Sequence, residues 1–281
     1  MKQKIISPGV LEAFRESLSV DEKSDATAEK YLHAAEEFAE FLSGRAVTRD
    51  LALEYKNTVL ERKYAPKSVN VNVAALNSLF AFLKLSGCKL KAMKIQKRVF
   101  SDEKTELTEP EYRRLVNAAH RMRNGRLALI ITTICATGIR VSELRFITFE
   151  AAEKGEATVT NKGKTRAVLL PKELQKKLLK YAEKHKIRTG HIFVTRGGKP
   201  VNRTNVWREM KKLCATARVD PEKVFPHNLR RLFARKFYNL EKDIAKLADL
   251  LGHSSIDTTR IYIMSTGTEH RKIIDQMRLV C

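Results

Sequence analysis

The sequence has few cysteines, and they are scattered. Cys88, Cys135, Cys214 and Cys281 form no Cys-x-x-Cys pair anywhere in the 281 residues. Disulfide frameworks and structural zinc sites both need cysteines at close, recurring spacings. We therefore expect neither, and this cysteine usage is typical of a protein in a reducing cytoplasm.

Long apolar runs are missing as well. A membrane-spanning helix needs about 20 consecutive apolar residues, and the run LALIITTICA at residues 127–136 is much shorter. The first residues, MKQKIISPGVLEAF, lack the apolar segment of a secretory signal peptide. The sequence thus predicts a cytoplasmic protein with no membrane partner.

Acidic residues are outnumbered by basic ones. The chain has 54 lysines and arginines against 32 aspartates and glutamates, which gives a formal net charge of +22. An excess of this size usually indicates a polyanionic partner, most often nucleic acid. A basic protein without such a partner is the alternative at this stage.

Residues 1–88 are patterned as helices. Apolar residues recur at helical spacing after potential capping residues such as Ser24 and Thr48. The pattern predicts a small four-helix domain whose apolar stripes form the core. The basic residues Lys56, Lys63 and Lys67 cluster around one helix junction, where they could contact phosphates or simply form a solvated charged face.

Residues 89–106 show no helical periodicity and are basic first and acidic later, which predicts an interdomain linker. Beyond the linker, Thr108 and Glu111 are spaced as a helix-capping box. The apolar run at residues 127–136 then predicts a buried helix.

A β-hairpin is predicted between residues 156 and 170. Two β-prone segments, 156–160 and 167–170, flank the turn sequence NKGKTR. A lysine at such a tip could reach over a bound backbone, although a solvent-exposed turn is the simpler interpretation of the turn alone. A later helix contains Trp207, which we expect in the core rather than on a surface that stacks bases.

Arg140 follows the buried helix, just beyond the break at Gly138. A charge at the end of a buried helix needs partners. Glu143 lies three residues later, where it could form a local ion pair. The pair is either purely structural or holds the arginine rigidly so that it can bind a phosphate.

A second group of chemically capable residues lies near the carboxyl terminus. His227 and Arg230 are three residues apart and share one helix face. His253 follows a helix ended by Gly252, and Tyr262 lies nine residues later. Arginine binds phosphate oxygens, histidine moves protons near neutral pH, and tyrosine can act as a nucleophile. Together these residues suggest chemistry on a phosphate.

Four motifs carry a family resemblance. They are ATGIRVSEL at residues 136–144, HNLR at 227–230, LGHS at 251–254 and TTRIY at 258–262. In order, spacing and flanking residues they resemble the tyrosine recombinase (phage integrase) family over residues 107–265. Less specifically, the first helices look like the core-binding, SAM-like domain of that family.

The resemblance implies a mainly α fold with a small β-hairpin or sheet and two domains. The N-terminal four-helix core-binding domain would span residues 1–88 and the basic linker residues 89–106. The catalytic domain, with a C-terminal tail helix, would span residues 107–281. We expect no additional arm-binding domain before the helices, which would make the chain more similar to the compact, Xer-like members than to the large phage integrases.

The resemblance also implies catalytic roles. Tyr262 would attack a DNA phosphate, forming a 3′-phosphotyrosyl bond and freeing a 5′-hydroxyl. The residues expected to assist it are Arg140, Lys162, His227, Arg230 and His253. In the family the two arginines and the second histidine bind the non-bridging oxygens, the first histidine accepts the tyrosine proton, and the hairpin lysine protonates the leaving oxygen. The family needs no metal or nucleotide cofactor, and we expect none here.

The chain departs from the family pattern at two places near the site. Arg231 stands where a histidine is common, and the hairpin turn is one residue short. Lys162 is chosen by position, and Lys164 remains an alternative. Further DNA contacts are expected from Lys56, Lys63, Lys67, Lys164 and Arg203.

The implied function is site-specific recombination of double-stranded DNA, in integration, excision or dimer resolution. A homotetramer would act at an inverted-repeat core site through a Holliday junction, whereas the free protein could be a monomer. One alternative is an enzyme like a type IB topoisomerase, which nicks and reseals without exchanging partners. Others are a catalytically silent DNA-binding protein on the same fold and an RNA-binding structural protein, the last supported by charge alone.

Overall fold

The computed structural model describes residues 4–62, 65–96, 103–161, 163–195, 197–264 and 267–279. Contacts divide the chain into two compact units, Met1–Lys97 and Arg98–Cys281. The predicted mainly helical fold with a small β-hairpin is confirmed. In the described part of the chain, no helix has the length and apolar character needed to cross a membrane.

The first unit is built from α-helices that pack on an aromatic core. They are α1 (Pro8–Val20), α2 (Asp25–Leu42), α3 (Arg49–Glu61) and α4 (Pro66–Phe82). The hydroxyls of Ser7 and Thr48 cap α1 and α3 by accepting from backbone N–H groups of the first turn. Phe38 lies at the centre of the core, with its ring centroid 5.1 Å from Tyr55 and 5.7 Å from Phe80.

A segment that we call the strap, residues 89–93, lies along α4 in this unit. Asn77 donates to the carbonyl of Leu90 at 2.9 Å and accepts from its N–H at 2.8 Å. Asn70 makes the same two bonds to Met93, at 3.0 and 2.8 Å. Each amide side chain thus hydrogen-bonds both the N–H and the carbonyl of one backbone residue, as a neighbouring β-strand would. The start of the predicted linker 89–106 is therefore tied to the first unit.

The second unit contains the remaining helices and one hairpin. Its helices are α5 (Glu109–Arg121), α6 (Gly125–Thr137), α7 (Phe149–Lys154), α8 (Lys172–Lys184), α9 (Arg203–Lys212), α10 (Cys214–Ala217), α11 (Pro226–Glu241), α12 (Ile244–Leu251), α13 (Ile256–Ile263) and α14 (Gly267–Gln276). Its strands are β1 (Glu156–Asn161) and β2 (Lys164–Leu169). Short 3₁₀ helices span Glu103–Thr105, Val141–Phe146 and Pro221–Lys223, and a further one, Ser86–Cys88, belongs to the first unit.

Several local predictions for this unit are confirmed. Thr108 and Glu111 form the capping box at the start of α5. The apolar helix α6 is buried, as the exposed fractions of Leu127, Ile131 and Ile134 show, none of which exceeds 1%. The prediction for Trp207 is wrong, because this side chain on α9 is 46% exposed and lies under the ammonium of Lys211. The core face of α9 is formed by other residues, including the buried Met210.

The hairpin pairs β1 and β2 in antiparallel register, with Val159 opposite Arg166 and Asn161 opposite Lys164. Two residues, 162 and 163, therefore connect the strands. Gly163 has φ +73°, a left-handed conformation that glycine adopts without steric cost. Lys162, the predicted hairpin lysine, lies outside the described residues.

Candidate active site

The site begins where α6 ends. Gly138 terminates the helix with φ +65°, and a Cβ added there would lie 2.4 Å from Cδ1 of Phe233. Both the left-handed backbone and this close packing require glycine. The sharp break directs the chain into Arg140, which caps the 3₁₀ helix Val141–Phe146.

Arg140 is held by Glu143, as the sequence predicted. Its Nη1 donates to Oε1 of Glu143 at 2.9 Å, and its backbone N–H donates to Oε2 at 2.8 Å. Its Nη2 lies 3.4 Å from the carbonyl of Gly252. The Arg140 side chain is 33% exposed, whereas that of Glu143 is only 2% exposed. The arginine is thus anchored at one side and open at the other.

Arg230 lies deeper, on α11, and is 1% exposed. Its Nη1 donates to the carbonyl of Gly138 at 2.5 Å, and its Nη2 donates to the carbonyl of Leu251 at 2.7 Å. Burial and the nearby Arg140 lower the pKa of Arg230 to about 10, so it remains charged at neutral pH. Its Nε is buried and has no hydrogen-bond partner within the described part of the chain. A buried cation with a spare donor is suited to an incoming anion.

His253 is presented by the end of α12, where Gly252 has φ +64°. Its Nε2 lies 2.9 Å from Nη2 of Arg230, and its Nδ1 lies 2.9 Å from Oγ1 of Thr259. Arginine can only donate, so Nε2 accepts and the ring proton is on Nδ1, which donates to Thr259. Burial, together with the charges of Arg230 and Arg140, lowers the pKa of His253 to about 4. The free protein therefore holds a neutral imidazole in one tautomer.

Tyr262 lies on α13, and its hydroxyl is 2.9 Å from Nε2 of His227. Its side chain is buried, and its ring centroid lies 5.0 Å from those of both His227 and His253. Burial and then Arg230 are the main causes that lower the pKa of His227 to about 4, with Arg231 adding to them. A neutral imidazole can accept the tyrosine proton, so this pair has the geometry of a nucleophile and its base.

The structure brings five of the six predicted catalytic residues to one site. They are Arg140, His227, Arg230, His253 and Tyr262. The sixth, Lys162, lies outside the described residues. Lys164 is the first residue of β2 and is exposed.

The other predicted DNA contacts lie in different parts of the chain. Lys67 begins α4 just after Pro66, and Arg203 begins α9; both are exposed. The ammonium of Lys56 donates to the carbonyl of Lys91 at 2.7 Å, so it is engaged with the strap. Lys63 lies outside the described residues.

Sequence reasoning missed two residues of the site. Arg166 on β2 donates to both carboxylate oxygens of Glu143, at 3.2 and 2.9 Å. Thr259 is fully buried and accepts the Nδ1 proton of His253 in the tautomer that Arg230 selects. Arg166 is one of several basic residues in the hairpin sequence. The one signal for its role is that it lies two residues after Lys164, which places both side chains on the same face of the strand.

The charges of the site favour an anion. Arg140 and Arg166 both bind the buried carboxylate of Glu143, and a third guanidinium, from Arg230, donates to the carbonyls of Gly138 and Leu251. The described residues contain no group of three or more His, Cys, Asp or Glu arranged to hold a metal ion. The arrangement can bind a phosphodiester through arginines and place a tyrosine hydroxyl and its base beside it.

Comparisons with known proteins match both units. The model of the phage integrase family matches residues 105–269, and that of the phage integrase N-terminal SAM-like domain matches residues 10–84. The tyrosine recombinase XerA of Pyrococcus furiosus is 29% identical, across all of this chain and 98% of its own length. The tyrosine recombinase XerD of Xanthomonas campestris is 30% identical, with 77% of this chain and 73% of XerD covered.

Solved structures share the fold. A crystal structure of XerA recombinase aligns with TM-score 0.54 and 24% identity, over 97% of this chain and 99% of that one. A lambda integrase dimer bound to a COC′ core site aligns with TM-score 0.72 and 18% identity, over 91% of this chain and 76% of that one. A lambda integrase tetramer bound to a Holliday junction aligns with TM-score 0.72 and 19% identity, over 90% and 76% of the two chains.

Proposed function

The chain belongs to the phage integrase family of tyrosine recombinases, and on this premise we propose that it breaks and rejoins DNA strands through a covalent bond to Tyr262. The observation that carries the proposal is the 2.9 Å contact between the Tyr262 hydroxyl and Nε2 of His227, placed beside buried Arg230. A tyrosine, a base and an arginine cluster together satisfy the chemical needs of phosphoryl transfer.

In the proposed cleavage step, the Tyr262 oxygen attacks the scissile phosphorus while its proton passes to Nε2 of His227. The bond from phosphorus to the 5′-oxygen breaks, and that oxygen takes up a proton to leave as a 5′-hydroxyl. The DNA 3′-phosphate is then esterified to the tyrosine. Attack by a 5′-hydroxyl of another strand reverses these events and rejoins DNA, so no external energy source is consumed.

Arg140 and Arg230 would bind the non-bridging oxygens and neutralise the charge of the transition state. Arg140 is open to solvent on one side, and the buried Nε of Arg230 lacks a partner in the described chain. Arg140 can therefore bind a phosphate without first breaking its bond to Glu143, whereas the buried Arg230 needs a donor uncovered when DNA binds.

His253 has two proposed states. In the free protein its Nε2 accepts from Arg230, so it cannot also donate to a phosphate. A bound phosphate anion would raise the pKa of this imidazole, because an opposite charge nearby favours the protonated form. Once protonated, His253 could donate to the phosphate through Nε2 while Nδ1 stays on Thr259. The role implied by the family resemblance thus requires protonation on DNA binding.

The lysine that protonates the leaving oxygen is proposed to be Lys162, with Lys164 as the alternative. The test uses DNA whose 5′-bridging oxygen is replaced by sulfur, because a thiolate leaves without a proton. The variant that lacks the general acid should cleave ordinary DNA slowly and the sulfur-bridged DNA at nearly the wild-type rate. Lys162→Ala and Lys164→Ala are compared side by side, and rescue of Lys164→Ala alone would reverse the assignment.

The proposed partner is double-stranded DNA carrying an inverted-repeat core site, bound by four copies of the chain that exchange strands through a Holliday junction. The net charge of +22 supports a DNA partner. Lambda integrase, which shares the fold, has been crystallised as a tetramer bound to a Holliday junction. A silent DNA-binding protein would have no chemical need for the Tyr262–His227 contact.

The deciding experiment is a covalent trap. Wild-type protein and Tyr262→Phe are incubated with a library of nicked duplexes at low salt, and SDS-resistant complexes are isolated and sequenced. We expect the wild type alone to form them, on DNA enriched in an inverted repeat, while both proteins bind DNA equally. Removal of one hydroxyl leaves the phosphate contacts that dominate affinity unchanged.

Tyr238→Phe is the matched control, because Tyr238 lies on α11 in the same unit, the Lys242 ammonium lies over its ring, and the proposed step gives its hydroxyl no role. It should trap DNA like the wild type. Covalent complexes formed by Tyr262→Phe would show that the nucleophile is another residue. Cleavage followed only by resealing of the same strand, with no joining to a partner duplex, would favour the topoisomerase-like alternative.

A further inference from the structure

Glu143 is a buried carboxylate that two arginines share. Arg140 donates to Oε1 at 2.9 Å, and Arg166 donates to Oε1 at 3.2 Å and to Oε2 at 2.9 Å. Two cations and one anion give this cluster a net charge of +1. Arg166 is the more buried of the two, with 15% of its side chain exposed against 33% for Arg140. The arginine that faces solvent is therefore Arg140.

Arg166 has a second set of contacts, at the end of α12. Its Nε donates to the carbonyl of Leu250 at 3.2 Å. Gly252 lies against the same side chain, and a Cβ added there would be 2.7 Å from Cδ of Arg166. His253 follows Gly252 directly. The guanidinium of Arg166 therefore contacts both the Glu143 carboxylate, which anchors Arg140, and the turn that presents His253.

Arg166 also ties the hairpin to this cluster. It lies on β2 opposite Val159, and side chains two residues apart in a strand share one face. Arg166, two residues after the start of β2, therefore attaches the face of the strand that carries Lys164 to Glu143. The hairpin, Arg140 and the end of α12 meet at a single side chain.

The electrostatic consequence concerns Arg140. Burial raises the pKa of Glu143, but hydrogen bonds from Arg166 and Arg140 outweigh that effect and bring the pKa below its ordinary value. Glu143 is therefore an anion at neutral pH. Were Arg140 its sole partner, the pair would be neutral, and a phosphate approaching Arg140 would meet little net charge.

We infer that Arg166 is a positioning residue of the proposed reaction: it offsets the charge of Glu143, so that Arg140 stays anchored by that carboxylate and still presents a positive charge to the DNA phosphate. The inference rests on the proposed function. Arg166 acts through Glu143 and is not a catalytic residue. Its contacts with Leu250 and Gly252 keep the guanidinium in place when DNA is absent.

The test compares Arg166→Gln, Glu143→Gln and the double variant. The rate of covalent complex formation is measured in a single turnover on a nicked duplex at saturating protein, beside thermal unfolding of each variant. Loss of one donor aimed at a transition state costs about 10²–10³-fold; because Arg166 acts indirectly, we expect about a 10²-fold loss in Arg166→Gln. The double variant should recover about tenfold relative to Arg166→Gln, because Arg140 then again carries an uncompensated charge.

Recovery of the cleavage rate in the double variant would show that Arg166 acts through its charge and not through packing. If Arg166 only supported the fold, removal of Glu143 as well would add damage rather than relieve it. Arg126→Gln is the matched control. Arg126 lies on α6, donates to Glu209 and to the carbonyl of Val194, both at 2.7 Å, and has no bond to Arg140. The variant should lose stability comparably and cleave at the wild-type rate.

Two results would overturn the inference. One is Arg166→Gln cleaving as fast as the wild type, and the other is a double variant no faster than Arg166→Gln. Should Arg166→Gln fail to fold, Arg166→Lys carries the test, because lysine keeps the charge but lacks the planar fork with which Arg166 binds both oxygens of Glu143. If Arg166 acts through its charge, Arg166→Lys should cleave within about tenfold of the wild-type rate. A loss of about 10²-fold or more would refute the inference.

The same assay separates this inference from the proposed function. Failure of both wild type and Arg126→Gln to form covalent complexes on DNA that they bind contradicts the proposed function itself. Cleavage by both of these proteins, together with an unaffected Arg166→Gln, contradicts only the role of Arg166.

Discussion

The two units of the chain bury different chemistry. The largest buried side chains of the first unit are aromatic, namely Tyr55, Phe14, Phe38 and Phe80, and apart from the Tyr55 hydroxyl they are apolar. The buried polar residues within the described chain all belong to the second unit, namely Thr133, Thr137, Glu143, Asn228, Arg230 and Thr259. A buried charge costs free energy unless partners compensate it. The comparison teaches that the interior of the first unit serves stability, whereas part of the interior of the second is kept for chemistry.

The largest effect on stability should come from the aromatic core. Phe38→Ala removes a fully buried ring that contacts Tyr55 and Phe80. We expect the free energy of unfolding to fall by about 3–5 kcal/mol through lost burial and the cavity left behind. Denaturant unfolding measures the loss, with the exposed Val20→Ala as control. The cleavage rate per folded molecule should stay unchanged. A slower rate would show that the core of the first unit also affects catalysis.

Arg230→Met should show the opposite behaviour. The cleavage rate should fall by about 10²–10³-fold, because a donor aimed at the transition state is lost. The free energy of unfolding should change by less than about 2 kcal/mol, because relief of the buried charge offsets the donors lost to Gly138 and Leu251. Single-turnover cleavage and denaturant unfolding are measured on the same samples. A variant that unfolds but cleaves normally when folded would show that Arg230 serves the fold.

Acid should destabilise the second unit through His253. Its folded-state pKa is about 4, below the ordinary value of 6.5, so between these values the unfolded chain binds the proton and the folded chain does not. Stability contributed by the neutral ring is present above pH 6.5 and is lost as the pH falls toward 4. Allowing for partial exposure, we expect about 1 kcal/mol less stability from this group at pH 5 than at pH 7.

His253→Gln provides the comparison, because glutamine keeps hydrogen-bonding groups but does not titrate. Thermal unfolding of both proteins at pH 7 and pH 5 should show a smaller acid shift in the variant. Equal shifts would mean that other groups determine the acid sensitivity.

The smallest effect on the cleavage rate is expected at Thr259. Thr259→Val keeps the shape of the side chain but removes the oxygen that accepts from Nδ1 of His253. The Nδ1 proton of the imidazole then has no partner and the ring is held less firmly, so we expect cleavage to slow by about tenfold. Nitrogen-15 NMR of His253 reports the hydrogen bond at Nδ1, and Thr259→Ser should restore both this signal and the rate. An unchanged NMR spectrum in Thr259→Val would rule out this role.

Much of the fold followed from local patterns. The capping box of Thr108 and Glu111 and the apolar run of α6 depend on residues near one another in sequence, so the sequence alone could predict them. The ion pair of Arg140 and Glu143 is local in the same sense. Trp207 was misjudged because burial of one large side chain depends on which helix face meets the core, which periodicity over ten residues of α9 does not settle.

The remainder of the site depends on distant contacts. Arg166 reaches Glu143 across 23 residues and Leu250 across 84 residues, and no local pattern predicts either bond. The tautomer of His253 is decided by Arg230, and Thr259 accepts its Nδ1 proton; only the assembled helices bring these two residues near the ring. Sequence motifs can thus indicate which residues take part, whereas tertiary packing determines how each is held.

The strap has a consequence for anyone who divides this protein into pieces. A fragment that stops at residue 88, where the helical pattern ends, would leave the amides of Asn70 and Asn77 without their backbone partners and would remove Leu90 from the core. A cut after residue 96 keeps all of these contacts. The first unit therefore extends several residues beyond its last helical turn, because two asparagine side chains on α4 bind the strap.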